Sequence, residues 1–215
     1  MIVRDGIYYA AALAAGGALT AWLAGVWFGV PLWILAVFCL YFFRDPERAI
    51  PQGPVAVSPA DGKVVAIAAE AQPEGPALQR VSIFLNIFDV HVNRAPIAGA
   101  IANVQYREGR FHVASREVCS DQNEQNVVTV EGEGAVAGSR VVFKQIAGLI
   151  ARRIVFRKHP GDHVAAGERV GLIKFGSRVD VIFGPEWEIA VRPGQRVSAG
   201  SSVIARHLAQ GGHEV

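Results

Sequence analysis

The chain has 215 residues, 51% of them hydrophobic, and a formal net charge of +2 at pH 7. That length suits one substantial core with one accessory element. The slight charge, with no run of five or more Lys or Arg, excludes the basic footprint of a nucleic-acid partner, and neither a metal site nor a disulfide is expected from Cys39 in an apolar run and Cys119 in a polar one.

The apolar content is uneven. Residues 6–43, 38 positions, carry no charge. A bilayer core of about 30 Å takes roughly 20 helical residues, so this run predicts a hydrophobic helical hairpin: one full span and a shorter second helix, with the break at Gly29-Val30-Pro31, because Pro removes a donor and disfavours helix before it. Arg4 before the run and Arg44 and Arg48 after it favour both ends on the cytoplasmic side of the cell membrane. Trp22, Trp27 and Trp33 cluster near the break as interfacial aromatics. A cleavable signal peptide and a buried soluble helix pair compete with this reading. The run is far longer than a signal peptide's apolar core, so membrane attachment is preferred, whether by one crossing or a shallow hairpin. Residues 1–48 are read as the anchor, and the Pro- and Gly-rich residues 49–54 as a linker.

Residues 55–215 read as a β-rich domain. Short β-type runs cover 62–68, 80–86, 100–106, 127–130, 140–146, 152–157, 169–174, 179–183 and 187–191, mostly separated by Gly or Pro and without long helical periodicity. An internal repeat sets residues 159–170 against 192–203, sharing Pro, Gly, Val, Ala, Gly and Val at equivalent places. Pro-Gly fits a type II turn, and the pattern is similar to the turns of biotinyl- and lipoyl-like hybrid sandwiches. The predicted fold is mainly β, a barrel/sandwich-hybrid domain behind the helical hairpin.

Between the two repeats lies Ser177, directly after Gly176 and between two apolar runs, so on or beside a buried strand. A hydroxyl held against its preceding carbonyl is placed to attack the Gly176–Ser177 peptide in an N-to-O acyl shift. Elimination from the resulting ester frees the upstream chain and leaves dehydroalanine, which hydrolyses to a pyruvoyl group. A Gly-Ser pair alone is equally an ordinary strand-to-turn element. Such chemistry needs a base and a group to orient it. Of six histidines, His207 and His213 sit in the tail, His159 and His163 flank a turn, and His112 reads as a surface residue or a headgroup contact. His91 follows a strand among Asp89, Asn93 and Arg94. Asp61 by itself reads as a turn aspartate.

Four stretches decide between these readings: Phe175-Gly176-Ser177-Arg178-Val179-Asp180; Ser58-Pro59-Ala60-Asp61-Gly62-Lys63-Val64; Phe88-Asp89-Val90-His91-Val92-Asn93-Arg94-Ala95-Pro96; and Asn123-Glu124-Gln125-Asn126, with Gln125 where Arg is usual. Together, in family order and over about residues 44–205, they resemble the short form of the phosphatidylserine decarboxylases. The resemblance implies a proenzyme that cuts itself between Gly176 and Ser177 into large (1–176) and small (177–215) chains, with Asp61, His91 and Ser177 as the relay. It implies a covalent pyruvoyl cofactor made from Ser177, and a membrane phospholipid as substrate, phosphatidylserine becoming phosphatidylethanolamine and CO2. Longer members carry two histidines in this region where the chain has His91 alone. Phosphate contacts fall to Arg94, Arg110, Arg178 or Lys174, and Asn123, Glu124 and Asn126 either hold the site or cap a turn. A homodimer would bury the edges of the β core. The competing classes are a non-enzymatic membrane-anchored hybrid-sandwich adaptor, which lacks its usual long helical insertion here, and a pyruvoyl decarboxylase for another serine-headgroup lipid.

Overall fold

The structure, a computed structural model, describes residues 2–70, 75–112, 119–148, 153–173 and 176–208. It falls into two compact units, Met1–Glu47 and Arg48–Val215. Lys174, Phe175 and His213 lie outside the described residues.

The first unit is a helical hairpin of α1 (Arg4–Ala24) and α2 (Val26–Phe42). The break falls at Gly25, not at Gly29-Val30-Pro31. Gly25 takes φ +107°, which other residues rarely adopt, and its N–H caps Ala21 O at 3.0 Å. Pro31 sits inside α2, where it removes a single donor one turn from the start, so the helix continues through it. Small residues let the helices touch: a Cβ on Gly29 would lie 2.5 Å from Gly17 O. Trp33 Nε1 donates to Ala14 O at 3.3 Å. The outward faces stay apolar, with Trp22 and Trp27 about four-fifths exposed on either side of Gly25. Among the described helices, α1 alone has the length and composition to cross a membrane.

The second unit is mainly β, as the sequence predicts. In chain order its elements are β1 (Val55–Val57), β2 (Gly62–Glu70), β3 (Leu78–Leu85), β4 (Val92–Arg94), β5 (Gly99–Arg107), α3 (Cys119–Gln122), β6 (Gln125–Gly132), β7 (Arg140–Ala147), β8 (Ile154–Phe156), β9 (His163–Val164), β10 (Arg169–Ile173), β11 (Ser177–Phe183), β12 (Trp187–Ile189), β13 (Arg196–Val197) and β14 (Val203–His207). An eight-stranded sheet runs β13-β2-β3-β11-β7-β6-β5-β9, beside two three-stranded sheets, β1-β14-β12 and β4-β10-β8.

Alternation builds the core. Val81, Ile83 and Leu85 of β3, Val141 and Phe143 of β7, and Val179, Val181 and Phe183 of β11 fall on one face and are all fully buried. Each such side chain contributes about 1.5–3 kcal/mol. β4-β10-β8 covers part of this face, with Phe156 of β8 against Phe143 at 6.2 Å between ring centroids. The other face of β11 is buried too, under a polar cluster. Arg178 Nε donates to Asp180 Oδ1 at 2.6 Å and Arg178 Nη2 to Ser82 Oγ at 2.7 Å, while Asp180 Oδ2 accepts from Ser120 Oγ at 2.7 Å and Arg80 Nη1 at 3.2 Å. β11 is thus an interior strand of the sheet, between β3 and β7, buried along its whole length.

The sequence repeat is a structural repeat. Each copy opens on a Pro-Gly turn, closed by Asp162 N–H to His159 O and by Gln195 N–H to Arg192 O, both 3.1 Å. Gly161 and Gly194 hold φ +94° and +91°, as a type II turn requires. Two-residue strands follow: β9 pairs with β5 and β13 with β2, closing opposite edges of the large sheet. The second glycines, Gly167 and Gly200, again have positive φ and donate to Ala95 O and Ser58 O, each at 2.8 Å.

Candidate active site around Gly176 and Ser177

Ser177 begins β11, opposite Leu85 of β3 and Ala147 of β7. It faces the core with Val179, is fully buried, and its Oγ has no hydrogen-bond partner among the described residues. A hydroxyl left so costs about 1–3 kcal/mol, and native folds keep few such groups without a use. Gly176 precedes it at φ +61°. An added Cβ there would find open space, Ile87 Cγ2 at 3.9 Å being its nearest neighbour, so glycine is demanded by backbone conformation and not by crowding.

His91 lies against this junction. Its Nε2 accepts the Gly176 N–H at 3.3 Å, and its Nδ1 stands 2.9 Å from Asp89 O. A carbonyl only accepts, so Nδ1 carries the hydrogen and Nε2 presents its lone pair to the Gly176 N–H, one residue before the Ser177 amide. The ring is buried, 3% exposed. Its backbone is fixed as well: Ile173 N–H donates to His91 O at 3.2 Å, so this one residue holds the chain on both sides of positions 174–175. The preceding turn is closed by Asp89 N–H to Asn86 O and Asn86 N–H to Asp89 Oδ2, at 2.9 and 2.8 Å, and Asp89 is ion-paired with Arg196.

Asp61 is placed differently from the expected relay. Its carboxylate takes Arg48 Nη2 at 2.8 Å and the Ala199 N–H at 2.7 Å, and makes no hydrogen bond to His91. In this state the Asp89 carbonyl orients the ring, and Asp61 joins the start of the β domain to the second repeat turn. The predicted phosphate contacts separate too. Arg178 is fully buried on the face of β11 opposite Ser177 and is engaged with Asp180 and Ser82. Arg94 is 5% exposed and donates to Gly167 O at 3.0 Å. Both guanidiniums serve internal partners, while exposed Arg110 borders a shallow cleft with Gly109 and Gln122.

The Asn-Glu-Gln-Asn stretch lies beside Ser177. Asn123 Nδ2 donates to Ala147 O at 2.7 Å, and Ala147 N–H donates to Glu124 O at 2.9 Å, so two of its residues hold the β7 position that faces Ser177. Asn123 also grips His112 through both backbone groups at 2.9 Å. The Glu124 side chain meets Tyr106, whose hydroxyl is held above its usual pKa by partial desolvation and by the carboxylates of Glu124 and Glu108. Asn126 Nδ2 donates to Gln145 Oε1 at 3.1 Å. Gln145 and Asn93, joined at 2.8 Å, are buried polar groups that sequence reasoning passed over. Their signal was an amide placed where period-2 alternation demands a core residue. A larger cleft, about 870 Å³ and lined by Arg140, Ile182, Phe183 and Glu186 among others, opens at the far end of β11 and touches none of the predicted site residues.

A buried serine behind a left-handed glycine, with a histidine lone pair on that glycine's N–H, defines a class of β proteins organised around an internal Gly-Ser junction. Comparison with known proteins narrows the class. Residues 35–205 match the model of the phosphatidylserine decarboxylase family. The chain is 72% identical over 207 residues to the phosphatidylserine decarboxylase proenzyme of Solibacter usitatus, covering 96% of this chain and 97% of that one. It is 41% identical over 215 residues to the proenzyme of the same name from Magnetococcus marinus, covering 96% and 95%, and 46% identical over 203 residues to that of Salinibacter ruber, covering 89% and 86%. The chain belongs to the phosphatidylserine decarboxylase family.

Proposed function

We infer that this chain is a self-processing decarboxylase of phospholipid biosynthesis, converting phosphatidylserine to phosphatidylethanolamine and CO2. The observation that carries the reading is His91 Nε2 on the Gly176 N–H, 3.3 Å away, one residue before the buried Ser177, whose Oγ has no partner among the described residues. His91 exchanges that N–H for the Ser177 hydroxyl and takes its proton as Oγ adds to the Gly176 carbonyl carbon. The C–N bond breaks and the nitrogen takes the proton, giving an ester. Loss of the Ser177 α-proton with cleavage of its Cβ–O bond releases Gly176 as a carboxylate, and water converts the remaining enamine to a pyruvoyl group and ammonia.

The site fits that group: the hydroxyl it replaces already lies at the closed end of an interior strand, next to a histidine able to move a proton. A pyruvoyl ketone supplies an electron sink for loss of CO2 from a bound serine headgroup. His91 then returns a proton to the α-carbon, and among the arginines considered for the phosphate Arg110 is the exposed one. The hairpin of α1 and α2 attaches the enzyme to the membrane, its apolar outer faces against lipid and Arg4, Arg44 and Arg48 on the cytoplasmic side. Asp61 supports processing by fixing Arg48 and the Ala199 turn.

The test is intact mass. Purified wild type is expected as two chains, 1–176 and 177–215, the smaller with a ketone at its N-terminus that borohydride reduces, together with CO2 release from carboxyl-labelled phosphatidylserine in mixed vesicles. Ser177→Ala is expected as one inactive chain. Folded, membrane-bound wild type that remains a single 23.0 kDa chain overturns the reading.

A further inference from the structure

Two motifs of this chain meet in the core as a row of carboxamides. Asn126 Nδ2 donates to Gln145 Oε1 at 3.1 Å, and Gln145 Nε2 donates to Asn93 Oδ1 at 2.8 Å. The row ends on Asn93 Nδ2, which is fully buried and finds no acceptor among the described residues. Each amide orients the next. Because Gln145 spends its N–H on the Asn93 oxygen, Asn93 is held with its own NH2 turned outward from the row. Leaving such a donor unpaired costs about 1–3 kcal/mol.

Its position supplies a use. Asn93 follows His91 by two residues, and side chains two apart on an extended strand share a side. His91 reaches Gly176. Gln145 precedes Ala147 by two on β7, and Ala147 stands opposite Ser177. The same layer therefore sets His91 against Gly176 and Asn93 one row away, on the face where Ala147 of β7 stands opposite Ser177. Ser177 Oγ is another polar atom of this face without a partner among the described residues.

We propose that Asn93 is a catalytic residue of self-cleavage, its Nδ2–H donating to the Gly176 carbonyl oxygen as that oxygen becomes negative. The proposal rests on the self-processing reading above. When Ser177 Oγ bonds to the Gly176 carbonyl carbon, its proton passes to His91 Nε2 and the C=O electron pair moves onto oxygen, where the Asn93 donor stabilises it. On collapse the pair returns, the C–N bond breaks, and the nitrogen recovers the proton from His91. The Asn126–Gln145 pair acts through Asn93 by fixing which of its atoms faces the junction.

The test follows cleavage by mass against time for the full chain made by cell-free translation with phosphatidylethanolamine/phosphatidylglycerol vesicles. Asn93→Ala is expected to slow scission about 10²-fold, the cost of one donor to a developing oxyanion. Asn93→Asp keeps the shape but donates only when protonated, so its rate relative to wild type is expected to rise as pH falls from about 8 to about 5. A purely structural asparagine has no reason to produce that trend. Asn93→Ala cutting within about three-fold of wild type, or an Asn93→Asp ratio flat with pH, overturns the proposal while self-processing stands. Wild type that is never cut removes the reading beneath it instead.

Discussion

Gly176 isolates backbone conformation from every other influence at the site. Its φ of +61° would cost a side chain about 1–2 kcal/mol, yet space for a Cβ is open. Gly176→Ala is therefore expected to fold with Tm lowered by a few degrees while the residue-176 N–H shifts off the His91 lone pair. Cleavage slowed by at least ten-fold in a mass time course, with the melting transition retained, is the expected pair of results; an unchanged rate means that the left-handed turn is no part of the chemistry. His91 and Ser177 were legible as candidates because their motifs sit in a recognisable order. The partner of His91 was not. Which acceptor a ring nitrogen meets is decided by the turn at Asn86–Asp89, and Asp61 is drawn instead to Arg48 and the Ala199 N–H, a long-range pairing that no local pattern encodes. Asn93 is hidden for the opposite reason: it lies inside a strong motif, and a neutral amide there has no titratable group to set it apart from a strand residue.

Among elements, the repeat was the most legible, since Pro-Gly and a second glycine prescribe dihedrals directly. What lies outside such rules was missed: β4, β9 and β13 are two or three residues long and exist only because a neighbouring strand supplies their partners. The hairpin break was misplaced because Pro31 was weighed over Gly25, although a proline near a helix start removes little. Glu168, at the first repeat, offers a test. Its partial burial, which alone raises a carboxyl pKa, is outweighed by Lys158 Nζ at 2.6 Å and the Ala165 N–H at 2.9 Å, so its pKa is lowered. A carboxylate depressed on folding stabilises the fold fully above its ordinary value near 4.3 and loses that contribution as pH falls through the lower folded value. Glu168→Gln is expected to lower stability by under about 1 kcal/mol at neutral pH, the pair being part-exposed, and the gap to wild type should close in acid. A gap independent of pH in urea titrations would assign the effect to turn geometry.

At the scale of the whole β domain, the proposed cut separates pieces that are woven together. Downstream of Gly176, β11 lies between β3 and β7, β13 closes an edge on β2, and β14 pairs with β1. The two chains are expected to part on a denaturing gel yet elute as one species under native conditions, at any dilution and in high salt. Release of the small chain without denaturant would contradict this arrangement.

That weave makes the consequence of scission kinetic. Before the cut, β11 finds its slot as part of one polymer, and unfolding is reversible in principle. Afterwards the same slot must be refilled by a separate, largely apolar strand in competition with aggregation, so the mature molecule persists by the slowness of its unfolding. Denaturation and dilution should then restore uncut Ser177→Ala and fail for cut wild type: the protein carries its folding instructions only until it uses them.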